Sequence, residues 1–506
     1  MEQRLAVIDL GSNSFRLVVF SDHEGWWKRT DEIYEPVRIG AGLAASGRLG
    51  REPILRALAT LDVFAHFCRA MGLAEQDIQA LATSAIRDAE NGRQFLERAR
   101  RATGLPVRTL TREQEARYGY LAAVNSTTLA DGAVLDLGGG SLQLVQVDGR
   151  LAGELGSWPL GAVRMTERFL PGPGPAKAKA LAELRAHVAS VLGEVDWLAR
   201  SGHRLVGLGG TVRNLAAAMG LPIGGVQGVT VSREELESLI ERLAALPADE
   251  RSSIPGIKPA RADIILAGAV VIACVLDLGD FAEIEATEAG LREGVFFERH
   301  LQGVEPPLLE DVRHASVRNL AAQYRSEPAH TEHVATLALG LFDELAVAGL
   351  HNGDPLEREL LWAACMLHDV GMAVDYDDHH KHSRYLILNA GLPGFSPREV
   401  ALIAQAVRYH RKGMPSPGPL ASLFEEDDRA RLDRCAVLLR LAEDLERSRD
   451  QVVRHAHVAV QNGTVELRLD AEGELAVPRW AAARETELFA RAFGKELEVA
   501  GGSRVA

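Results

Sequence analysis

The chain of 506 residues predicts an α/β protein made of two related layers, followed by an almost wholly helical unit that ends in a small β element. Three observations predict this. Residues 6–20 (AVIDLGSNSFRLVVF) return in similar form at 133–147 (AVLDLGGGSLQLVQV), each copy running an apolar stretch into Asp, a Gly/Ser-rich turn and alternating apolar residues. That pattern reads as strand, tight turn, strand. The order hairpin, helix, strand, helix follows each copy, as expected of an α/β layer. The character then changes after Leu301, where Gly303 and Pro306-Pro307 mark a linker. The expected domains are therefore residues 1–125, 126–302 and 303–506.

In the first copy a Gly-rich loop (Gly40, Gly42, Gly47, Gly50) precedes a helix over about 52–71, whose Ile54, Leu58, Leu61, Phe64 and Phe67 recur at helical spacing. A strand over 78–82 leads into Thr83-Ser84-Ala85-Ile86-Arg87-Asp88 and another helix. The second copy continues with a strand near 153–160, a helix over about 176–200 and a strand into Gly207-Leu208-Gly209-Gly210-Thr211. An acidic segment, 279–293, closes it, and Gly290 to Gly294 follow the same line. Beyond the linker, Ala/Leu stripes predict helices over 330–347, 356–368, 396–410 and 429–448. Alternation around Asn462-Gly463 predicts a hairpin, and a last helix is expected over about 481–493.

Apolar residues make up 47% of the chain, enough for several cores, and the formal net charge is −14. Such a charge opposes broad attraction to nucleic acid or anionic membrane, so neither is expected as a partner. A polyanionic ligand then needs local basic patches. The arginine-dense stretch Arg93, Arg98, Arg100, Arg101, Arg108, Arg112 and Arg117 is one, and the His/Lys/Arg clusters 379–384 and 408–412 are others. Cys68, Cys274, Cys365 and Cys435 are far apart without a CxxC, which fits a reducing cytoplasm. The chain enters a strand at once, and no apolar run reaches the roughly 18 residues that span a bilayer. Neither a secreted nor a membrane-spanning protein is expected.

Asp9 and Asp136 hold equivalent places in the two copies, as do Ser14 and Ser141. Duplication would set the acidic hairpins facing each other across a cleft suited to phosphate. Backbone N–H groups at glycine turns cradle phosphoryl oxygens, and a buried carboxylate can hold the cation that neutralises them.

The segments DLGSNSFRLVV, ATSAIRD, TREQEARYGYLA, LDLGGGSLQLV, GLGGTVRNLA and GLREGV, in this order over the first three hundred residues, resemble the exopolyphosphatase and guanosine pentaphosphate phosphatase family. The resemblance implies a duplicated actin-like (ribonuclease H-like) ATPase fold and an HD-type helical domain marked by RYHRK. It implies a phosphohydrolase that releases orthophosphate from inorganic polyphosphate, or from guanosine pentaphosphate (pppGpp). An actin-like kinase or an ATP-driven interaction module stays open beside these. Glu115 matches the family's general base, with Glu113 the neighbour most easily confused with it. Arg87 matches the phosphate-contacting arginine, and Asp136, with Asp9 its counterpart, the anchor of magnesium (or manganese). Ser12, Asn13 and Ser14, with Gly138, Gly139, Gly140 and Ser141, would hold phosphates. Gly209, Gly210 and Thr211 resemble the turn that meets nucleotide in the superfamily's kinases; here they would meet the phosphate chain or only shape the cleft. One position departs from the family pattern GGGSxE: Gln143 stands where a glutamate is usual, and an amide brings no charge to a metal. The family also implies a homodimer.

In the helical part, His333, His368, Asp369, His380, His410 and Asp444 follow the ligand types and order of an HD-type site for a second divalent metal, with His382 a rival to His380.

Overall fold

A computed structural model describes residues 3–221, 224–461 and 463–500; Asn462 of the expected hairpin turn lies outside the described residues. The described residues form two compact units, the first running to Leu221 and again from Val226 to Val312, the second from Arg313 onward.

In the first unit the duplication is visible strand by strand. The first sheet comprises β1 (Gln3–Leu10), β2 (Phe15–His23), β3 (Trp26–Glu35), β4 (Ile78–Ala82) and β5 (Val107–Thr109), in the order β3-β2-β1-β4-β5. The second comprises β6 (Gly132–Leu137), β7 (Leu142–Asp148), β8 (Leu151–Trp158), β9 (Arg204–Leu208), β10 (Thr230–Ser232) and β11 (Glu283–Ala286), in the order β10-β11-β9-β6-β7-β8. Read from its other edge, the second repeats the first and adds β10. Hairpin strands pair antiparallel and the crossover strands pair parallel in both. The register repeats too, with Asp9 opposite Arg16 and Asp136 opposite Gln143.

Side chains alternate across a strand, so each sheet has two faces to bury. Ala6, Ile8 and Leu10 pack outward onto helices Arg51–Ala70 and Gly92–Thr103. Ala133, Leu135 and Leu137 likewise pack onto helices that include Ala178–Leu192 and the almost fully buried Ile265–Gly279. The opposite faces share one core: Leu5, Val7, Val18 and Phe20 of the first sheet join Val134, Val145, Val147 and Val206 of the second. Two helices, Arg112–Val124 and Leu291–His300, complete that core. Asp9 follows Leu5 and Val7, and Asp136 follows Val134, so pleat parity aims both carboxylates to this shared side.

The helix expected over 176–200 ends at Leu192, and a separate short turn covers Leu198–Arg200. Arg93, Arg98, Arg100 and Arg101 lie on the exposed side of helix Gly92–Thr103, a solvated face.

The second unit packs helices Pro328–Val347, Pro355–Leu367, His379–Ala390, Pro397–Arg408 and Asp428–Leu445 around one apolar core. A small sheet adds β12 (Val453–Gln461), β13 (Thr464–Ala471) and β14 (Glu496–Val499). The single last helix expected over 481–493 is instead two, Ala476–Ala482 and Thr486–Phe493, and the parallel strand β14 after them carried too short a pattern to be read. All four cysteines are buried and unpaired. Among the described residues no helix is long and apolar enough to cross a membrane.

The two central helices touch at Gly294, where an added Cβ would fall 1.9 Å from the Tyr118 carbonyl oxygen. Neither backbone can yield without displacing the helix that carries Glu115. Gly294→Ala is expected to destabilise the first unit by about 1–3 kcal/mol, read as a lower urea midpoint at unchanged m-value.

Candidate active site

The two hairpin turns meet because they carry so little side chain. A Cβ on Gly139 would lie 3.1 Å from Ser12 Cβ and 3.4 Å from the Asn13 nitrogen; one on Gly140 would fall 2.8 Å from Ser12 Oγ and 2.5 Å from Ser84 Oγ. Ser12 Oγ is itself 3.2 Å from Ser84 Oγ. Gly209 sits at φ +97°, with room for a Cβ only 2.7 Å from the Leu137 carbonyl oxygen, so no other residue fits that turn without strain.

The cleft so formed is lined by Asp9, Ser12, Asn13, Ser14, Gly138 and Gly139 from the two hairpins, by Glu115 and Asp136, and by Gly209 and Gly210 at the start of helix Gly209–Ala217. Four residues expected in it are placed otherwise. Thr211 is buried with its methyl against Gly268 of helix Ile265–Gly279, since the helix turns it away from Gly209. Ser141 is engaged by Gln143, whose Nε2 donates to its Oγ at 2.8 Å. Gly140 packs on Ser84, on the far side of the turn. Arg87 lies behind Glu115 rather than on the cleft wall, and its Nη1 donates to Glu115 Oε2 at 2.7 Å and to the Leu110 carbonyl at 3.2 Å.

Glu115 owes its position to the helix start. Thr111 caps helix Arg112–Val124, accepting from the Gln114 nitrogen while the Gln114 side chain accepts from the Thr111 nitrogen. With the start fixed, Glu113 projects into solvent and Glu115 projects inward, where it is buried. Burial pushes the Glu115 carboxyl up to about 7, opposed by the Arg87 hydrogen bond and charge and reinforced by Asp136 and Asp9. Asp136 is pushed up to about 6 by burial and then by Asp9. Asp9 is raised by burial too, with Arg292 and Arg16 pulling it back.

Four arginines of the cleft escape a reading by sequence: Arg16, Arg213, Arg261 and Arg292. Arg213 is lowered to about 10, by burial first and then by the neighbouring Arg292, Arg16 and Arg261. Arg292 is buried, and its Nε and Nη1 have no hydrogen-bond partner. Arg261 lies across Gly210, where a Cβ would fall 2.1 Å from its Cζ. The duplication held a signal for Arg16, which stands seven residues after Asp9 as Gln143 does after Asp136. Arg213 and Arg292 lie inside the glycine motifs; Arg261, in the turn Pro259–Arg261, had none. Such buried and half-buried cations near carboxylates suit a polyanion that arrives with its countercharge.

The donor set toward a metal is all oxygen. Asp9 and Asp136 are half-buried carboxylates of one cleft, a chemistry that fits a hard cation keeping several waters or phosphate oxygens. Gln143, buried, donates to Ser141 and to Ser157 Oγ at 3.3 Å, so its amide nitrogen is spent within the sheet.

In the second unit the expected ligands are only partly brought together. Two groups of ligand atoms lie within 4.8 Å of one another: His330, His368 and Asp369, and Asp369, His379 and His410. His333 is not among them, because three residues of helix turn it aside to place Nε2 2.9 Å from the Val453 carbonyl; His330 takes its place. His379 replaces His380, which one residue of helix rotates away, its Nε2 3.9 Å from Asp378. His382 is not in either group. Asp444 faces Glu485 across the neighbouring cavity, while the preceding Glu443 reaches His330 and His368 at 3.0 and 3.4 Å.

A duplicated α/β fold whose glycine turns, buried carboxylates and arginines meet in one cleft defines an actin-like, phosphate-handling protein. The family model described as the Ppx/GppA phosphatase family matches residues 18–302, and that of Ppx/GppA phosphatase domain III matches 312–484. The chain belongs to the Ppx/GppA phosphatase family. It is similar to the Aquifex aeolicus family member of known structure, at 30% identity over 58% of this chain and 97% of that one, with a TM-score of 0.50. The exopolyphosphatase from Cytophaga hutchinsonii shares the fold, at 23% identity over 59% and 98% of the two chains and a TM-score of 0.55.

Removing the Arg87 charge takes away what holds Glu115 down, so its pKa must rise. In Arg87→Met the Glu115 carboxyl, followed by carbon-detected NMR, is expected to titrate above its wild-type value of about 7.

Proposed function

We propose that the protein is an exopolyphosphatase, hydrolysing the terminal phosphoanhydride of inorganic polyphosphate. The observation that carries this reading is Glu115, a buried carboxylate poised near neutrality beside paired aspartates, two glycine turns and four arginines. A general base works best when its pKa lies near the operating pH. Unprotonated Glu115 would take a proton from a water in the cleft as that oxygen attacks the terminal phosphorus. The bridging P–O bond breaks, its electron pair leaves with the shortened chain, and one orthophosphate is released per water consumed. Arg87 positions the base. Arg16, Arg213, Arg261 and Arg292 would hold the chain and offset charge that spreads over the phosphoryl oxygens in the transition state. Ser12, Asn13, Ser14, Gly138 and Gly139 would orient the terminal group through hydroxyl and backbone N–H donors. A magnesium or manganese ion held by Asp136 and Asp9 would supply further neutralisation of bridging and terminal oxygens.

Polyphosphate is favoured over pppGpp by the cleft lining itself. Among the described residues that line it there are four arginines and no aromatic ring on which a guanine could stack. A repeating anion asks only for repeated cations.

Orthophosphate release from long-chain polyphosphate, pppGpp and ATP with magnesium tests the proposal. Polyphosphate is expected to turn over fastest, and Glu115→Gln to lower kcat by about 10²–10⁴-fold. The acid limb of kcat/KM is expected near pH 7, with activity rising as pH rises because the base must lose its proton. Equal or faster turnover of pppGpp would replace the substrate, and an undiminished Glu115→Gln enzyme would remove the base.

A further inference from the structure

We infer that the helical unit holds a metal centre of its own, in which His330, His368, Asp369, His379, His410 and Glu443 bind one or two divalent transition-metal ions. The inference is independent of the chemistry of the cleft. Three of the histidines are preset as ligands. Nδ1 of His368 lies 2.6 Å from the Cys365 carbonyl, that of His379 2.9 Å from the Tyr376 carbonyl, and that of His410 2.7 Å from the Val407 carbonyl. A carbonyl only accepts, so each Nδ1 carries a proton, which leaves Nε2 as the nitrogen that turns to the interior and is available to a metal.

Those nitrogens converge on one another and on two carboxylates. Nε2 of His379 stands 3.1 Å from Nε2 of His410, an approach that calls for a proton or a metal ion between them. His368 Nε2, His330 Nε2 and Glu443 Oε2 are buried without a hydrogen bond, although His330 Nε2 is 3.0 Å and His368 Nε2 3.4 Å from Glu443 Oε2. Leaving that many buried polar atoms unsatisfied is costly, and a metal ion satisfies them together.

Asp369 joins the two triads. Its Oδ2 accepts from Arg449 Nη2 at 2.7 Å, which orients the carboxylate and leaves Oδ1 facing His379 Nε2 at 3.3 Å and His368 Nε2 at 3.6 Å. Imidazole nitrogens with two carboxylates select manganese, iron, cobalt, nickel or zinc over magnesium and calcium, which prefer oxygen alone. The centre is also open. A cavity of about 740 Å³ shares His410 and Glu443 with it and is lined further by Arg411, Lys412, Arg447 and Trp480, leaving room for water or an anion on the metal.

The full chain carrying Asp9→Asn and Asp136→Asn, so that the cleft contributes no ligand, is loaded with Co²⁺ and freed of excess by gel filtration. Elemental analysis is expected to find about one or two ions per chain. Proton NMR is expected to show hyperfine-shifted, exchangeable resonances from the Nδ1–H groups of His368, His379 and His410. Asp369→Asn, common to both triads, should abolish retention, and His333→Ala should leave it unchanged. Because the resonances are read without altering the centre, misfolding of Asp369→Asn does not rescue a negative result. Retention below about a tenth of an ion per chain, or bound metal without exchangeable shifted signals, overturns the inference.

Discussion

Two glycine turns packed so closely that Gly140 leaves no space for a Cβ against Ser12 and Ser84, and Gly139 little against Ser12 and Asn13, set the dimensions of everything else in the first unit. Because the turns touch, the strands that enter them end side by side, and the residues one step before the turns, Asp9 and Asp136, open into the same cleft. The shared core of Leu5, Val7, Val134 and Val206 holds the two sheets at that spacing, and the two central helices fill what remains. Gly294 against Tyr118 shows how little slack the arrangement has.

That spacing creates an electrostatic problem which is also the chemical resource of the site. Asp9, Asp136 and Glu115 face one cleft, and burial pushes all three carboxyls upward, with repulsion from Asp9 adding to it at Asp136 and Glu115. Arg16, Arg213 and Arg261 are depressed for the mirror-image reason, burial first and neighbouring arginines after it. The cleft is thus charged with both signs and balanced for a ligand that brings anionic oxygens together with a cation. Arg87 is the exception: it pairs with Glu115 directly and so fixes one carboxylate while the others face the ligand.

The second unit uses the same physics with different atoms. There the buried groups are imidazoles, and carbonyl oxygens of the chain choose which ring nitrogen stays free. Polar atoms left without partners in a well-packed interior are the common sign in both units: Arg292 in the cleft, and His330, His368 and Glu443 among the helices.

The duplication, the hairpins and the pairing of Asp9 with Asp136 were legible in the linear chain, because strand alternation and glycine turns are local properties that neighbouring residues impose on one another. The choice of Glu115 over Glu113 needed a helix start, and the capping box at Thr111 made that start readable once the fold stood. Residues that act through the third dimension were different. Arg261 reaches the cleft from a remote turn, and Thr211 leaves it by a quarter-turn or so of helix. His330, His379 and Glu443 displace His333, His380 and Asp444 because a shift of one or three positions along a helix swings a side chain by about 100° or 60°. The sequence by itself determined which chemical groups were available and on what kind of element. Only tertiary packing decided which faces of those helices turned inward, since that depends on the partner each face must bury against.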